Sequence, residues 1–174
     1  MSMVRRSFVV FALFVLTACG APNLSEVKLE PLLVQDGDLP VGVDTGQVRD
    51  TAPQMFDSAP KPTKAAYEQL ARNGQQIGGV TVLLYDDAAR VKQAYDAVAG
   101  GMTKDSTDYS GVGESAKLLQ TQFTALGMTL STNEILWQRC NAVAHVRVVG
   151  VLDKESLVGY AKRLDTRLQQ AVCS

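Results

Sequence analysis

The chain is predicted to fold as an α+β domain, an antiparallel sheet of about four strands with helices packed on one face. Three observations carry that expectation. Its apolar pattern alternates between the helical and the extended period, in the order helix, strand, helix, strand, strand, strand, helix. The last strands are joined by connections too tight for a crossover helix. All six prolines fall between Pro22 and Pro62, so a Pro-rich extended segment precedes a Pro-free body.

That division sets the expected domain boundaries. Residues 31–62 read as an extended, turn-rich lead-in. It contains Leu32-Leu33-Val34 and the turn signal Asp36-Gly37-Asp38-Leu39-Pro40. Residues 63–174 are expected to form the compact domain. Within it, Thr63 can cap a short helix over 64–72, stopped by Asn73-Gly74. Val80-Thr81-Val82-Leu83-Leu84-Tyr85 is rich in β-branched and aromatic residues, so 78–85 is expected to be a strand. Asp86 or Asp87 then caps a helix over 87–99. Val91, Ala94, Tyr95 and Val98 share one face of it, and Gly100-Gly101 ends it. A polar loop over 102–113 leads to a weaker strand over 115–122.

Residues 133–150 predict a hairpin with its two-residue turn at Cys140-Asn141. In that register Arg139 pairs with Ala142, Trp137 with Ala144, and Glu134 with Arg147. One face then carries Ile135, Trp137, Ala144, Val146 and Val148. The other carries Glu134, Gln138, His145 and Arg147, with Leu136 and Val143. A slip of one residue would mix the two sets. Asp153 caps a final helix over 154–171, whose apolar stripe is Leu157, Ala161, Leu164, Leu168 and Ala171. The strand leaving the turn and the helix returning over it each span roughly 26 Å. Cys173 is thereby brought back towards Cys140. A disulfide between them is expected, closing a loop of about 33 residues and contributing on the order of 3 kcal/mol.

The N-terminus carries an export signal. Arg5 and Arg6 precede a short apolar run that ends in small residues. The run 8–18 would make roughly 16 Å of helix, about half of a hydrocarbon core. Leu16-Thr17-Ala18-Cys19 resembles the lipobox of bacterial lipoproteins. The resemblance implies that residues 1–18 are a cleaved signal peptide and that the Cys19 thiol carries a diacylglycerol. It also implies acylation of the new amine, with a fatty acid such as palmitate. Residues 19–30 would then be a solvated tether, and the protein would be extracytoplasmic, lipid-anchored to a bacterial cell membrane in the cell envelope. Two or three acyl chains anchor firmly where one does not. Arg5-Arg6-Ser7-Phe8-Val9 also resembles a twin-arginine motif, although so short and apolar a run suits the general secretory route.

Of the three cysteines, lipidation uses Cys19, which leaves Cys140 and Cys173 as an even pair for an oxidising compartment. Removing Arg5 and Arg6 leaves 15 basic and 18 acidic side chains, a net charge of −3. That balance argues against nucleic-acid binding.

No catalytic or metal-binding constellation is evident. The single histidine, His145, has no nucleophile beside it in any known motif. One His and two paired cysteines cannot supply a usual zinc set. Asp105, Asp108 and Glu114 share a Gly-containing loop, but their spacing matches no EF-hand. Gly78-Gly79 enters a strand and is not followed by a helix, so it makes no phosphate loop. No cofactor is expected. The layout is similar to small sensor-like and PsbP-like extracytoplasmic lipoprotein domains. The expected function is non-enzymatic binding of a small or lipidic ligand or of an envelope protein. The surface patch Glu134, Gln138, His145 and Arg147 is the candidate contact face. An assembly lipoprotein acting by protein contacts is the alternative, and a hydrolase with an unrecognised site is the third reading.

Overall fold

A computed structural model describes residues 23–102, 105–125, 127–150 and 152–173. The expected signal peptide, residues 1–18, and the expected lipidation site Cys19 lie outside these residues. The described elements, in order, are β1 (Asp44–Thr45), β2 (Lys64–Arg72), β3 (Gln75–Leu84), α1 (Ala88–Gly101), β4 (Thr107–Asp108), β5 (Ser115–Ala125), β6 (Met128–Arg139), β7 (Ala142–Val149) and α2 (Lys154–Val172). One-turn helices occur at Glu30–Leu32 and Gln54–Phe56.

The strands form one seven-stranded sheet in the order β1-β2-β3-β7-β6-β5-β4, antiparallel throughout. This corrects the expectation of about four strands. The helices also lie on opposite faces of the sheet, not on one. The segment 64–72, expected to be a helix, is strand β2. Its helix-forming composition yields to pairing with β3 across Asn73-Gly74, where both residues have positive φ, 52° and 74°. That geometry fits a two-residue hairpin turn, and the same dipeptide can also stop a helix. Burial alternates along β2: Ala66, Glu68 and Leu70 are buried, and each neighbour between them is partly exposed.

Elsewhere the elements agree with the pattern. The β6–β7 register pairs Arg139 with Ala142, Trp137 with Ala144 and Glu134 with Arg147. Cys140, at the turn, adopts φ +47°, and its N–H donates to Glu114 Oε1 at 2.9 Å. Asp87 caps α1, accepting from the Ala89 N–H, and Asp153 caps α2, accepting from the Ser156 N–H. Strand β6 begins earlier than expected, because β5 and β6 continue their pairing to Ala125 and Met128.

Helix α2 lies on the face that carries Val80, Val82, Ile135, Trp137, Ala144 and Val146. The lead-in closes the same core, with Leu24, Leu29 and Leu33 buried in it. Residues from Leu24 on thus pack on the body, where a solvated tether had been expected to run to residue 30. Buried Asp38 fastens the lead-in to α2, accepting from Arg163 at 2.9 Å and Arg167 at 2.8 Å. Arg167 also donates to the carbonyls of Leu32 and Leu33. Cys140 and Cys173 are disulfide-bonded, their Cα atoms 5.5 Å apart, which ties the end of α2 to the hairpin turn.

Helix α1 and the turn Gln54–Phe56 cover the other face over Leu83, Tyr85, Leu136 and Val143. Their cover stops there. Beyond it, towards Gly79 and Arg147, the sheet floor is polar and open.

Candidate functional site

Strand register assembles this floor. Thr81, His145 and Leu136 stand side by side across β3, β7 and β6. In the next row of the same face stand Gly79, Arg147 and Glu134. His145 is 3% exposed and Glu134 7%, so the pair is buried. A buried carboxylate needs a partner, and His145 Nε2 lies 2.9 Å from Glu134 Oε1. Burial pushes the Glu134 carboxyl up, but the His145 hydrogen bond, the His145 charge and the Arg147 charge outweigh it. The net effect holds it below the ordinary value of 4.5. An ionised carboxylate has no proton to give, so Nε2 carries the hydrogen. The edge of the Phe56 ring meets the imidazole, with centroids 5.9 Å apart and planes at 75°.

Arg147 is placed differently. Its side chain is 56% exposed, and Nε stands 3.9 Å from Glu134 Oε2. That is too long for a hydrogen bond. Among the described residues the Arg147 guanidinium makes none, so its five N–H donors remain unspent. The sequence register does place Glu134 opposite Arg147, yet the close partner of Glu134 is its diagonal neighbour His145.

The patch expected from sequence therefore divides. Glu134, His145 and Arg147 come together, but as a buried pair beside an exposed cation and not as one exposed surface. Gln138 lies on the same face beyond Leu136, paired with Val143, away from the open floor. Two of the three acids weighed for calcium are committed elsewhere. Asp108 accepts from Lys117 at 2.8 Å, and Glu114 accepts from the Cys140 N–H. Among the described residues no group of three or more metal-ligating side chains converges.

Two cavities flank Arg147. One, of about 460 Å³, lies between Gln54–Phe56 and the β3–β7 floor, bounded by Met55, Tyr67, Gln76, Thr81, His145 and Arg147. The other, of about 510 Å³, lies under the end of α1, bounded by Val98, Met102, Leu119, Phe123, Glu134 and Arg147. A larger space of about 910 Å³ opens beside the start of β2, below the lead-in. We place the site at Arg147 because buried polar groups converge there. Lys64, on the larger space, is already bonded to the Ser25 and Val27 carbonyls.

Several residues of the floor escaped sequence reading. Thr81 is 1% exposed, and its hydroxyl has no hydrogen-bond partner. Tyr67 comes from the strand expected to be a helix, so its position opposite Thr81, with its ring over Gly79, has no sequence signal of its own. A Cβ at Gly79 would lie 2.3 Å from the Tyr67 ring, so glycine there allows the ring to lie over the sheet. The Gly78-Gly79 pair in a β-rich run was the available signal for such a close approach.

No protein-family model and no curated protein matches this chain. Among solved structures it is similar to the extracellular domain of PknH from Mycobacterium tuberculosis. The TM-score is 0.52 at 9% identity, covering 81% of this chain and 94% of that one. At that identity the likeness is one of fold.

Proposed function

We propose that the protein is an extracytoplasmic, lipid-anchored binding module that holds a small ligand in the cleft over Glu134, His145 and Arg147. The observation that carries this reading is Arg147, a cation with unspent donors standing between two cavities on an otherwise covered sheet. Ligand sites are characteristically concave and mostly apolar, with a few placed polar groups. The lipobox ending at Cys19, the Cys140–Cys173 bridge and the fold of a domain described as extracellular support the location. In this reading residues 1–18 are removed, Cys19 takes the lipid, and the chain is folded from about Leu24 onward.

Binding is favoured over catalysis by what surrounds His145. Its side-chain neighbour on β3 is the Thr81 hydroxyl, which is buried and not bonded to the ring. A hydroxyl that is not hydrogen-bonded to a base is not an activated nucleophile. Native mass spectrometry of the mature protein, extracted from membranes in detergent, tests the reading. A discrete adduct that leaves under activation, with a lipid mass on Cys19, is the expected spectrum. An unlipidated chain with no adduct in any preparation would oppose both parts.

A further inference from the structure

The cavity between Gln54–Phe56 and the β3–β7 floor has a one-sided polar lining. Among the described residues no carboxylate borders it, Arg147 is its only side chain with a permanent charge, and the other polar groups can all donate. Gln54 and Gln76 bring amides. The Tyr67 hydroxyl accepts from Gln76 Nε2 at 3.1 Å, which leaves its own O–H free to donate. His145 is engaged with Glu134, and that carboxylate borders the neighbouring cavity instead. The carbonyl end of α1, the wrong pole for an anion, also faces that neighbour. Apolar surface completes the lining at Met55, Ile77 and Val149.

The geometry points to a small carboxylic acid with an apolar body as the ligand of this cavity. Its carboxylate meets the Arg147 guanidinium, with the Tyr67 hydroxyl within the same donor set. Its body lies on Met55, Ile77 and Val149. Arg147 faces Glu134 only across 3.9 Å, and among the described residues no hydrogen bond takes its N–H donors, which are free to meet a carboxylate. A planar guanidinium pairs with a carboxylate through two parallel N–H donors, a geometry that an ammonium cannot reproduce. The space of about 460 Å³ suits a small organic molecule. This inference rests on the ligand-binding reading above and narrows it to a chemical class.

The test is titration calorimetry of the mature protein with octanoate and 4-phenylbutanoate, each against its own primary amide. The acids are expected to bind at least about tenfold more tightly than the amides. Arg147→Gln should erase that preference, and Arg147→Lys should restore part of it. Because Arg147 is exposed, both variants should fold, and a thermal melt checks this. Acid and amide binding equally, or an unchanged preference in Arg147→Gln, would overturn the assignment. If neither probe binds while the native spectrum still shows an adduct, the carboxylate class falls and the binding reading stands. If the adduct is absent too, both fall.

Discussion

The two faces of one sheet are built to opposite rules. On the α2 face the inward residues Val80, Val82 and Leu84 of β3 and Ala142, Ala144, Val146 and Val148 of β7 are apolar. The buried Asn133 and Glu68 are hydrogen-bonded to backbone, and helix, lead-in and disulfide seal the face. Its ion pairs lie at the rim and act as fasteners. Arg139 clasps Asp165, which also accepts from the Gly113 N–H, while Asp38 gathers Arg163 and Arg167. On the α1 face the apolar cover lies over Leu83, Tyr85, Leu136 and Val143, and the buried, hydrogen-bonded Glu134–His145 pair lies in the floor beyond it. Stability and recognition are thus separated across a single layer of backbone. A sheet face that serves only cohesion can be sealed, whereas one that meets a ligand must leave polar groups uncovered.

This contrast is broken most directly by truncation on the sealed face. Trp137 is wholly buried between sheet and α2. Trp137→Ala should cost about 3–5 kcal/mol, because the space it leaves cannot close. The matching change on the open face is Phe123→Ser, at a ring that is 44% exposed. It should cost less than about 1 kcal/mol. Urea unfolding of both variants measures the difference, and equal losses would mean that the faces are not divided as described.

Next in size is the disulfide. Its cysteines are 33 residues apart, and a loop of that length restricts the unfolded chain by about 3–4 kcal/mol. The double variant Cys140→Ser, Cys173→Ser should lose that amount. Reductant should bring the wild type to the same level and leave the variant unmoved. A wild type indifferent to reductant would show that the bridge contributes nothing.

The same division governs what could be read in the sequence. The sealed face was legible. Ile135, Trp137, Ala144 and Val146 alternate without a break, and only one register keeps them together. The α1 face was legible in composition but not in depth. Glu134 and His145 read as solvent-facing because polar residues usually are, and nothing local announces that Phe56, far away in the chain, packs on His145. Strand β2 was hidden for a different reason. Ala65, Ala66, Glu68, Gln69, Leu70 and Ala71 favour helix intrinsically, and tertiary pairing with β3 overrides a preference of a few tenths of a kcal/mol per residue. With β2 misplaced, Tyr67 was lost from the site, and the sheet lost a strand. The two-residue strands β1 and β4 are too short to leave a periodic signal.

A smaller effect tests the buried pair. The Glu134 carboxyl is held below its ordinary value of 4.5, so the folded state favours its ionised form. Such a group contributes stability that is present above pH 4.5 and is lost as pH falls through the folded-state value. Wild type should therefore exceed Glu134→Gln by about 1–3 kcal/mol at pH 5.5, and the gap should close towards pH 3. Using the difference between the two proteins matters, because Glu68 shifts the opposite way. Burial raises its carboxyl against the Val34 hydrogen bond, so Glu68 gains stability on acidification. A gap that stays constant from pH 5.5 to 3 would mean that the Glu134 charge is not stabilised by its setting.

The smallest expected effect bears most directly on function. Arg147 is half out of the protein and 3.9 Å from its nearest carboxylate oxygen. A pair too long to hydrogen-bond, with its cation half in water, contributes between zero and about 1 kcal/mol. Arg147→Gln should accordingly shift unfolding by no more than about 0.5 kcal/mol. A loss above about 2 kcal/mol would instead assign Arg147 to the Glu134–His145 pair as a structural partner. It would then have no donors to spare for a ligand. A near-neutral result has the reverse meaning. A long, flexible cation held over a concave floor without benefit to folding is a residue whose interaction energy remains available to whatever enters the cleft.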